Sequence, residues 1–126
     1  MFTERLLLEV QASKLGLNAM KPPLVKGRSG TVHSFSFLAS SEKVLYGFDA
    51  YERVSEIEVL KSYVKAYDTG VALAIVSLEG AVTDSARQLL REYKMAVLNE
   101  SEIPGYFDKL LLKKDADPSG MLSVTS

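Results

Sequence analysis

Residues 70–98, GVALAIVSLEGAVTDSARQLLREYKMAVL, hold the pattern that decides the fold class. Val71–Val76 is a continuous apolar run directly after Gly70, which predicts a strand buried on both faces. Thr83 can cap a helix with an acid in its first turn, and Met95–Leu98 is a second short apolar run. The segment therefore predicts a right-handed βαβ unit with parallel strands.

The segment before this unit has helical spacing. From Arg53 to Asp68, apolar residues recur every three or four positions, and Gly70 is placed to end the helix. The apolar positions are Val54, Ile57, Leu60, Val64 and Tyr67. Charged residues occupy the remaining face: Glu56, Glu58, Lys61 and Lys65. We expect an amphipathic helix here.

Nearer the N-terminus the sequence predicts a helix and then a hairpin. Thr3 can cap the helix and Gly16 can end it. Thr31–Ala39 alternates and is rich in β-formers, so it predicts one strand. The polar Ser40–Lys43 connection leads to Val44–Tyr51, which predicts an antiparallel partner strand.

The whole chain is expected to form one α/β domain over residues 1–126, with a central mixed sheet flanked by helices. Pro104–Gly105 predicts a turn, and Tyr106–Lys114 is apolar and then basic without a clear periodicity. A polar tail is expected from about residue 115.

Composition narrows the function classes. The chain is 47% apolar and 25% charged with a formal net charge of −1, which is ordinary for a globular domain. It has no cysteine and one histidine, which rules out disulfides, thiolate nucleophiles and zinc sites built from sulfur. With no signal-peptide pattern and no run long enough to span a bilayer, we expect a cytoplasmic protein with no membrane partner.

Basic residues concentrate near the N-terminus. No acidic residue lies between Glu9 and Glu42, and residues 1–41 carry five basic and two acidic side chains. Pro22–Pro23 and Lys26–Gly30 are predicted to be loop or turn. Cations beside glycines suit phosphate contact, whereas the low net charge weighs against strong non-specific DNA binding. The candidate nucleic-acid-binding residues are Lys21, Lys26, Arg28 and His33.

The element order αββαβαβ is similar to that of the restriction-endonuclease-like superfamily. Phe2–Glu4 opening the first helix, Lys26–Gly30 before the first strand and the closing strand, helix and strand carry the resemblance over residues 2–103. Within the superfamily, the chain most resembles Mrr-like archaeal and bacterial proteins.

The resemblance implies positions for a metal-dependent nuclease site. Active members carry a carboxylate on the first helix, an Asp on the first hairpin strand and Glu-x-Lys on the second, which hold Mg²⁺ against the scissile phosphate. In this sequence those positions are Glu4, Ser36, Asp49 and Tyr51. A neutral serine cannot replace a carboxylate ligand, so we expect no catalytic residues and no cofactor, with Mg²⁺ relevant only to a residual nuclease.

Three functions stay open at this point. The first is a catalytically degenerate nuclease-fold protein that binds DNA, RNA or a protein partner through Lys21–Arg28. The second is an assembly module forming a homodimer, for which the apolar Tyr106–Leu112 segment is a candidate surface. The third is a residual nuclease using Glu4, Asp49 and Glu52, with a lysine supplied from elsewhere, such as Lys61 or Lys65.

Overall fold

The computed structural model of the protein describes residues 2–116, and side chains for residues 7–110. The helices are α1 (Phe2–Lys14), α2 (Glu56–Thr69), α3 (Asp84–Tyr93) and α4 (Ile103–Ala116). The strands are β1 (Asn18–Ala19), β2 (Leu24–Lys26), β3 (Val32–Ser34), β4 (Phe37–Ser40), β5 (Leu45–Val54), β6 (Ala72–Val82) and β7 (Ala96–Leu98). No helix among the described residues is long and apolar enough to cross a bilayer.

A five-stranded mixed sheet in the order β1-β4-β5-β6-β7 forms the centre of the fold. β4 and β5 pair antiparallel, which confirms the predicted hairpin. β6 and β7 are parallel and joined by α3, as residues 70–98 predict. β5 and β6 are also parallel, with α2 as their connection. The protein is therefore a mixed α/β fold with a central sheet flanked by helices.

The predicted single strand over Thr31–Ala39 is wrong. The chain forms β3, leaves the pairing at Phe35, and then forms β4 in a different sheet. β3 instead pairs with β2 in a separate two-stranded ribbon, where the sequence predicted a loop. The break is stabilised because the Phe35 amide donates to Pro23 O (3.0 Å) and the Ser36 amide donates to Phe48 O (3.0 Å).

Helices cover both faces of the sheet. On one face, α1 and α4 bury Leu8, Ile103 and Phe107 against Phe48 of β5. On the other face, α2 and α3 pack on the sheet through a second cluster that includes Ile75 of β6. The core is therefore split into layers on the two sides of β5 and β6.

The helix ends follow the predictions on α2 and α3 and depart from them on α4. Gly70 ends α2 with φ 77°, and Thr83 Oγ1 accepts a hydrogen bond from the Ala86 amide at 3.1 Å. The predicted turn at Pro104–Gly105 is wrong, because both residues lie in the first turn of α4, where a missing amide costs little. α4 extends to Ala116, and the remainder of the polar tail predicted from about residue 115 lies outside the described residues.

The apolar stripe of α2 does not face the core. Ile57, Leu60, Val64 and Tyr67 are 57%, 41%, 57% and 69% exposed, whereas the opposite face buries Val59 and Ser62. The helix turns this way because its inner face meets a buried carboxylate of β5, which requires polar partners. The amphipathic helix is confirmed, but the stripe is at the surface.

Candidate functional site

Asp49 is the best-defined of the predicted site residues. It lies on β5 and is 3% exposed. Lys65 Nζ from α2 lies 2.7 Å from Asp49 Oδ2 and 2.8 Å from Oδ1, and Ser62 Oγ donates to Oδ2 at 2.8 Å. Lys65 also donates to Ser34 O at 2.7 Å. Charge and hydrogen-bonding capacity are thus matched inside the protein, as a buried carboxylate requires.

Tyr51, for which the resemblance predicts the position of the motif lysine, joins the same network. Its hydroxyl lies 2.9 Å from Ser62 Oγ. Burial raises the pKa of Tyr51 above its ordinary value of 10.0, and the nearby charge of Asp49 adds to the increase in pKa. Tyr51 is therefore a neutral hydrogen-bonding group and supplies no positive charge at this position. The positive charge comes from Lys65 instead.

His33 and Asp68 form a second polar cluster at the C-terminal end of α2. His33 Nε2 lies 2.9 Å from Asp68 Oδ2, the Ser29 amide donates to Oδ1 at 2.9 Å, and Ser29 Oγ donates to Oδ2 at 2.6 Å. The hydrogen bonds from Ser29, followed by that from His33, lower the pKa of Asp68 from 3.8 to about 2. This carboxylate fastens the β2–β3 ribbon to α2.

The predicted basic loop is also tied to α2 and to α1. Arg28 donates to Tyr67 O at 2.7 Å, and its guanidinium carbon lies 5.6 Å from the centre of the Tyr67 ring. Lys21 Nζ lies 3.5 Å from Glu9 Oε2, although the Lys21 side chain is 72% exposed. Lys26 lies on β2, not in a loop, and is exposed. The four candidate cations are thus not gathered into one pocket.

Ser36 has a structural role at the strand break. Its Oγ accepts a hydrogen bond from the Ala50 amide at 2.9 Å. It lines a cavity of about 250 Å³ together with Glu9 and Lys21, whereas Asp49 is buried under α2. Ser36 and Asp49 therefore do not line a common cavity. The side chain of Glu4 lies outside the described side chains.

A shallow groove of about 490 Å³ runs beside the exposed stripe of α2. Apart from that stripe, its lining consists of Lys61, Lys65, His33 and Tyr51. Among the described residues, no group of three or more His, Cys, Asp or Glu is arranged to hold a metal ion. The groove therefore combines an apolar wall with a basic one.

Sequence reasoning missed Glu9, Ser62 and Asp68. Glu9 lies on α1 and lines the cavity of Ser36. Asp68 is 35 residues from His33, and no local pattern links them. The one usable signal was the missing motif lysine at Tyr51, which made Lys61 and Lys65 candidates to replace it.

Comparison with known proteins identifies a shared fold and no function. No family model and no curated protein matches the chain. A solved structure described as "Protein of Unknown Function AF1548" is similar, with a TM-score of 0.60 and 10% identity over 97% of this chain and 73% of that chain. At that identity the likeness shows the mixed α/β fold alone.

Proposed function

We propose that this chain is a restriction-endonuclease-like domain that has lost nuclease chemistry and acts as an assembly module through the outer face of α2. The observation that supports this proposal most directly is that Asp49 is already paired inside the protein. Lys65 contacts both of its oxygens and Ser62 contacts one of them, so a metal ion would have to displace an internal ammonium group. A buried carboxylate with this partner has no net charge to offer Mg²⁺.

Glu9 supports the same conclusion from the other side of the sheet. A carboxylate on the first helix lies beside Ser36, as the resemblance implies for the ancestral site. Lys21 Nζ is its nearest described cation, at 3.5 Å. Asp49 and Glu9 are therefore each paired with a lysine.

The outer face of α2 supports assembly as the remaining activity. Four large apolar side chains lie along one helix face, at 41% to 69% exposure, beside the groove. Contiguous apolar surface of this kind marks interaction sites in proteins. Of the Tyr106–Leu112 segment predicted for this role, Tyr106 and Phe107 pack against Phe48 inside the domain, and Leu111 and Leu112 lie outside the described side chains.

The loss of catalysis is tested with supercoiled plasmid in Mg²⁺ or Mn²⁺. We expect wild-type protein to nick no more plasmid than an Asp49→Ala variant purified in parallel. Cleavage by the wild type that the Asp49→Ala variant lacks would restore the residual nuclease and overturn the proposal.

Contact with nucleic acid is a second candidate, because three exposed cations lie on one stretch of chain. They are Lys21, Lys26 and Arg28. Phosphate contact by so few cations predicts weak binding that salt abolishes. A mobility shift of labelled duplex or single strand at about 50 mM salt tests it, since this is the range where few-contact binding survives. Reduced binding by Lys26→Ala but not by Lys43→Ala would support this function, and no shift for the wild type would remove it.

A further inference from the structure

The exposed residues of α2 have the spacing of a two-helix seam. Ile57, Leu60, Val64 and Tyr67 follow one another at intervals of three, four and three residues. These are positions a, d, a and d of two consecutive heptads, the pattern that packs one helix against another. Most single helices on a globular surface carry this stripe toward their own core. In this protein it is the solvent-facing side.

The opposite face of α2 is already used. Val59 and Ser62 are fully buried against the rest of the domain, and Lys65 reaches inward to Asp49. In the same heptad these are positions c, f and b, which lie across the helix from the a and d seam. The helix is therefore held on one side by its own fold and presents the complete seam on the other.

Resting on the proposed assembly function, we propose that the seam pairs with the same seam of a second copy of this chain, with the two α2 helices parallel about a two-fold axis. In such an isologous contact each side chain meets its own counterpart. Position a holds β-branched Ile57 and Val64, and the first d position holds Leu60. That distribution favours two-stranded parallel pairing over trimers and tetramers.

The flanking charges are complementary in this arrangement. Glu56 lies at position g and Lys61 at the following e position, and both are exposed. In a parallel pair, g of one helix approaches the next e of the other, so Glu56 of each copy meets Lys61 of its partner. Glu56 of the partner copy then lies near the wall of the groove that contains Lys65 and His33. An antiparallel pair would instead bring the two lysine-bearing e edges together.

The rest of the domain keeps the short α2 helix folded. Two heptads on an isolated 14-residue helix would not stay helical in water. In this protein α2 is anchored along its inner face and ended at Gly70. Tyr67 is already ordered by Arg28, whose guanidinium lies over its ring. The second copy therefore binds a preformed surface, and little conformational entropy is lost on association.

Sedimentation equilibrium of the full chain over a wide concentration range tests the pairing. We expect a concentration-dependent dimer, and we expect Val64→Asp to raise its dissociation constant at least about tenfold, because two carboxylates would be buried in one seam. Val10→Asp is the matched control, since Val10 is also an exposed helical valine, at 47% against 57% for Val64. The control should dimerise like the wild type.

Orientation is tested by cysteine crosslinking, which is clean because the chain has no cysteine of its own. In the parallel pair, Ile57→Cys should form an intermolecular disulfide under mild oxidation, and so should Tyr67→Cys alone. In an antiparallel pair neither would crosslink to itself, whereas a mixture of the two variants would. Crosslinking only in the mixture would overturn the parallel pairing.

Charge exchange gives an independent check. Glu56→Lys or Lys61→Glu alone should weaken the dimer, and the two together should restore it, because the exchange recreates opposite charges in a parallel pair. A protein that is monomeric at all concentrations would overturn the inference, and so would a dimer that Val64→Asp leaves intact. A monomer whose seam binds a different protein would overturn it as well. These outcomes are separate from the plasmid assay, which alone decides the loss of nuclease chemistry.

Discussion

At the scale of single residues, the central contact is the one between Lys65 and the buried Asp49. Lys65 neutralises Asp49 at 2.7 Å, donates to Ser34 O, and lies 4.8 Å above the Phe35 ring. The Lys65 side chain is only 18% exposed and that of Asp49 only 4%. Removing one member of such a pair leaves an unpaired charge in the interior. The resulting loss of stability is far larger than the net stabilisation that the intact pair contributes.

The first prediction concerns this pair. Lys65→Met should lower the free energy of unfolding by about 3 kcal/mol, because it leaves the Asp49 carboxylate buried without its counter-charge. Lys43→Met is the control and should change stability by less than about 0.5 kcal/mol, since Lys43 is exposed and lies outside α2. Urea unfolding measures both. Adding Asp49→Asn to Lys65→Met should recover much of the lost stability. If Lys65→Met is as stable as the control lysine variant, the pairing of Lys65 with Asp49 is contradicted.

The second prediction concerns Asp68 and pH. Its folded-state pKa of about 2 lies below the ordinary value of 3.8, so the unfolded chain takes up this proton first as the pH falls. The stability that Asp68 contributes is complete above about pH 4, declines through the interval down to about pH 2 and is lost below it. Stability must therefore rise with pH across this interval.

Urea midpoints between pH 2 and 5 measure the effect. Asp68→Asn should flatten the rise relative to the wild type, whereas Asp108→Asn, which removes an exposed acid from α4, is the control. An unchanged slope in Asp68→Asn would show that the contacts to Ser29 and His33 do not hold this carboxylate in its charged form.

At the scale of elements, the ribbon of β2 and β3 is held by α2 more than by the sheet. The turn of the ribbon approaches Asp68 so closely that a Cβ at Gly27 would lie 2.0 Å from Asp68 Oδ2. The Arg28 amide also donates to Asp68 O at 3.0 Å. Gly27 is therefore required by the approach of two elements and not by its own local turn.

The third prediction follows from that approach. Gly27→Ala should lower the urea midpoint, because the added methyl group displaces the Asp68 carboxylate from Ser29 and His33. Gly105→Ala is the contrasting variant, since nothing lies within 4 Å of its Cβ position in α4. It should raise stability by about 0.5 to 1 kcal/mol through helix propensity. A Gly27→Ala protein as stable as the wild type would contradict the close contact.

At the scale of the whole molecule, aromatic packing joins the far end of the described chain to the centre of the sheet. The Phe107 ring of α4 stacks on Phe48 of β5, with centroids 5.4 Å apart, and Tyr106 meets Phe48 edge-on at 5.7 Å. α4 also packs against α1, so both ends of the described chain close the same face. That face buries mainly apolar side chains, whereas α2 also makes polar contacts with the sheet.

The fourth prediction tests this closure. Phe107→Ala should destabilise the protein by about 3 to 5 kcal/mol, because Phe107 is 1% exposed and its loss leaves a cavity against Phe48. Val44→Ala, at a position 38% exposed, should cost less than about 1 kcal/mol. Thermal and urea unfolding compare the two. Similar losses in both variants would mean that α4 is not part of the cooperative core.

Local signals in the sequence were sufficient for residues 70–98. The apolar run of β6, the Thr83 cap and the parallel return to β7 are confirmed, because hydrophobic period and helix capping act between near neighbours. The hairpin of β4 and β5 is confirmed for the same reason. Strand propensity did not distinguish one strand over Thr31–Ala39 from two. The pairing partners of β3 and β4 in other parts of the chain decided that there are two.

The sequence by itself determined that the protein has a mixed α/β fold with a central sheet flanked by helices. The tertiary structure alone decided that Lys65 neutralises Asp49, that Asp68 binds the ribbon, and that the stripe of α2 faces solvent. An amphipathic pattern specifies which residues share a helix face, but the direction of that face depends on what lies across the sheet. Here a buried carboxylate on β5 required the polar side of α2, and the apolar side was left facing solvent.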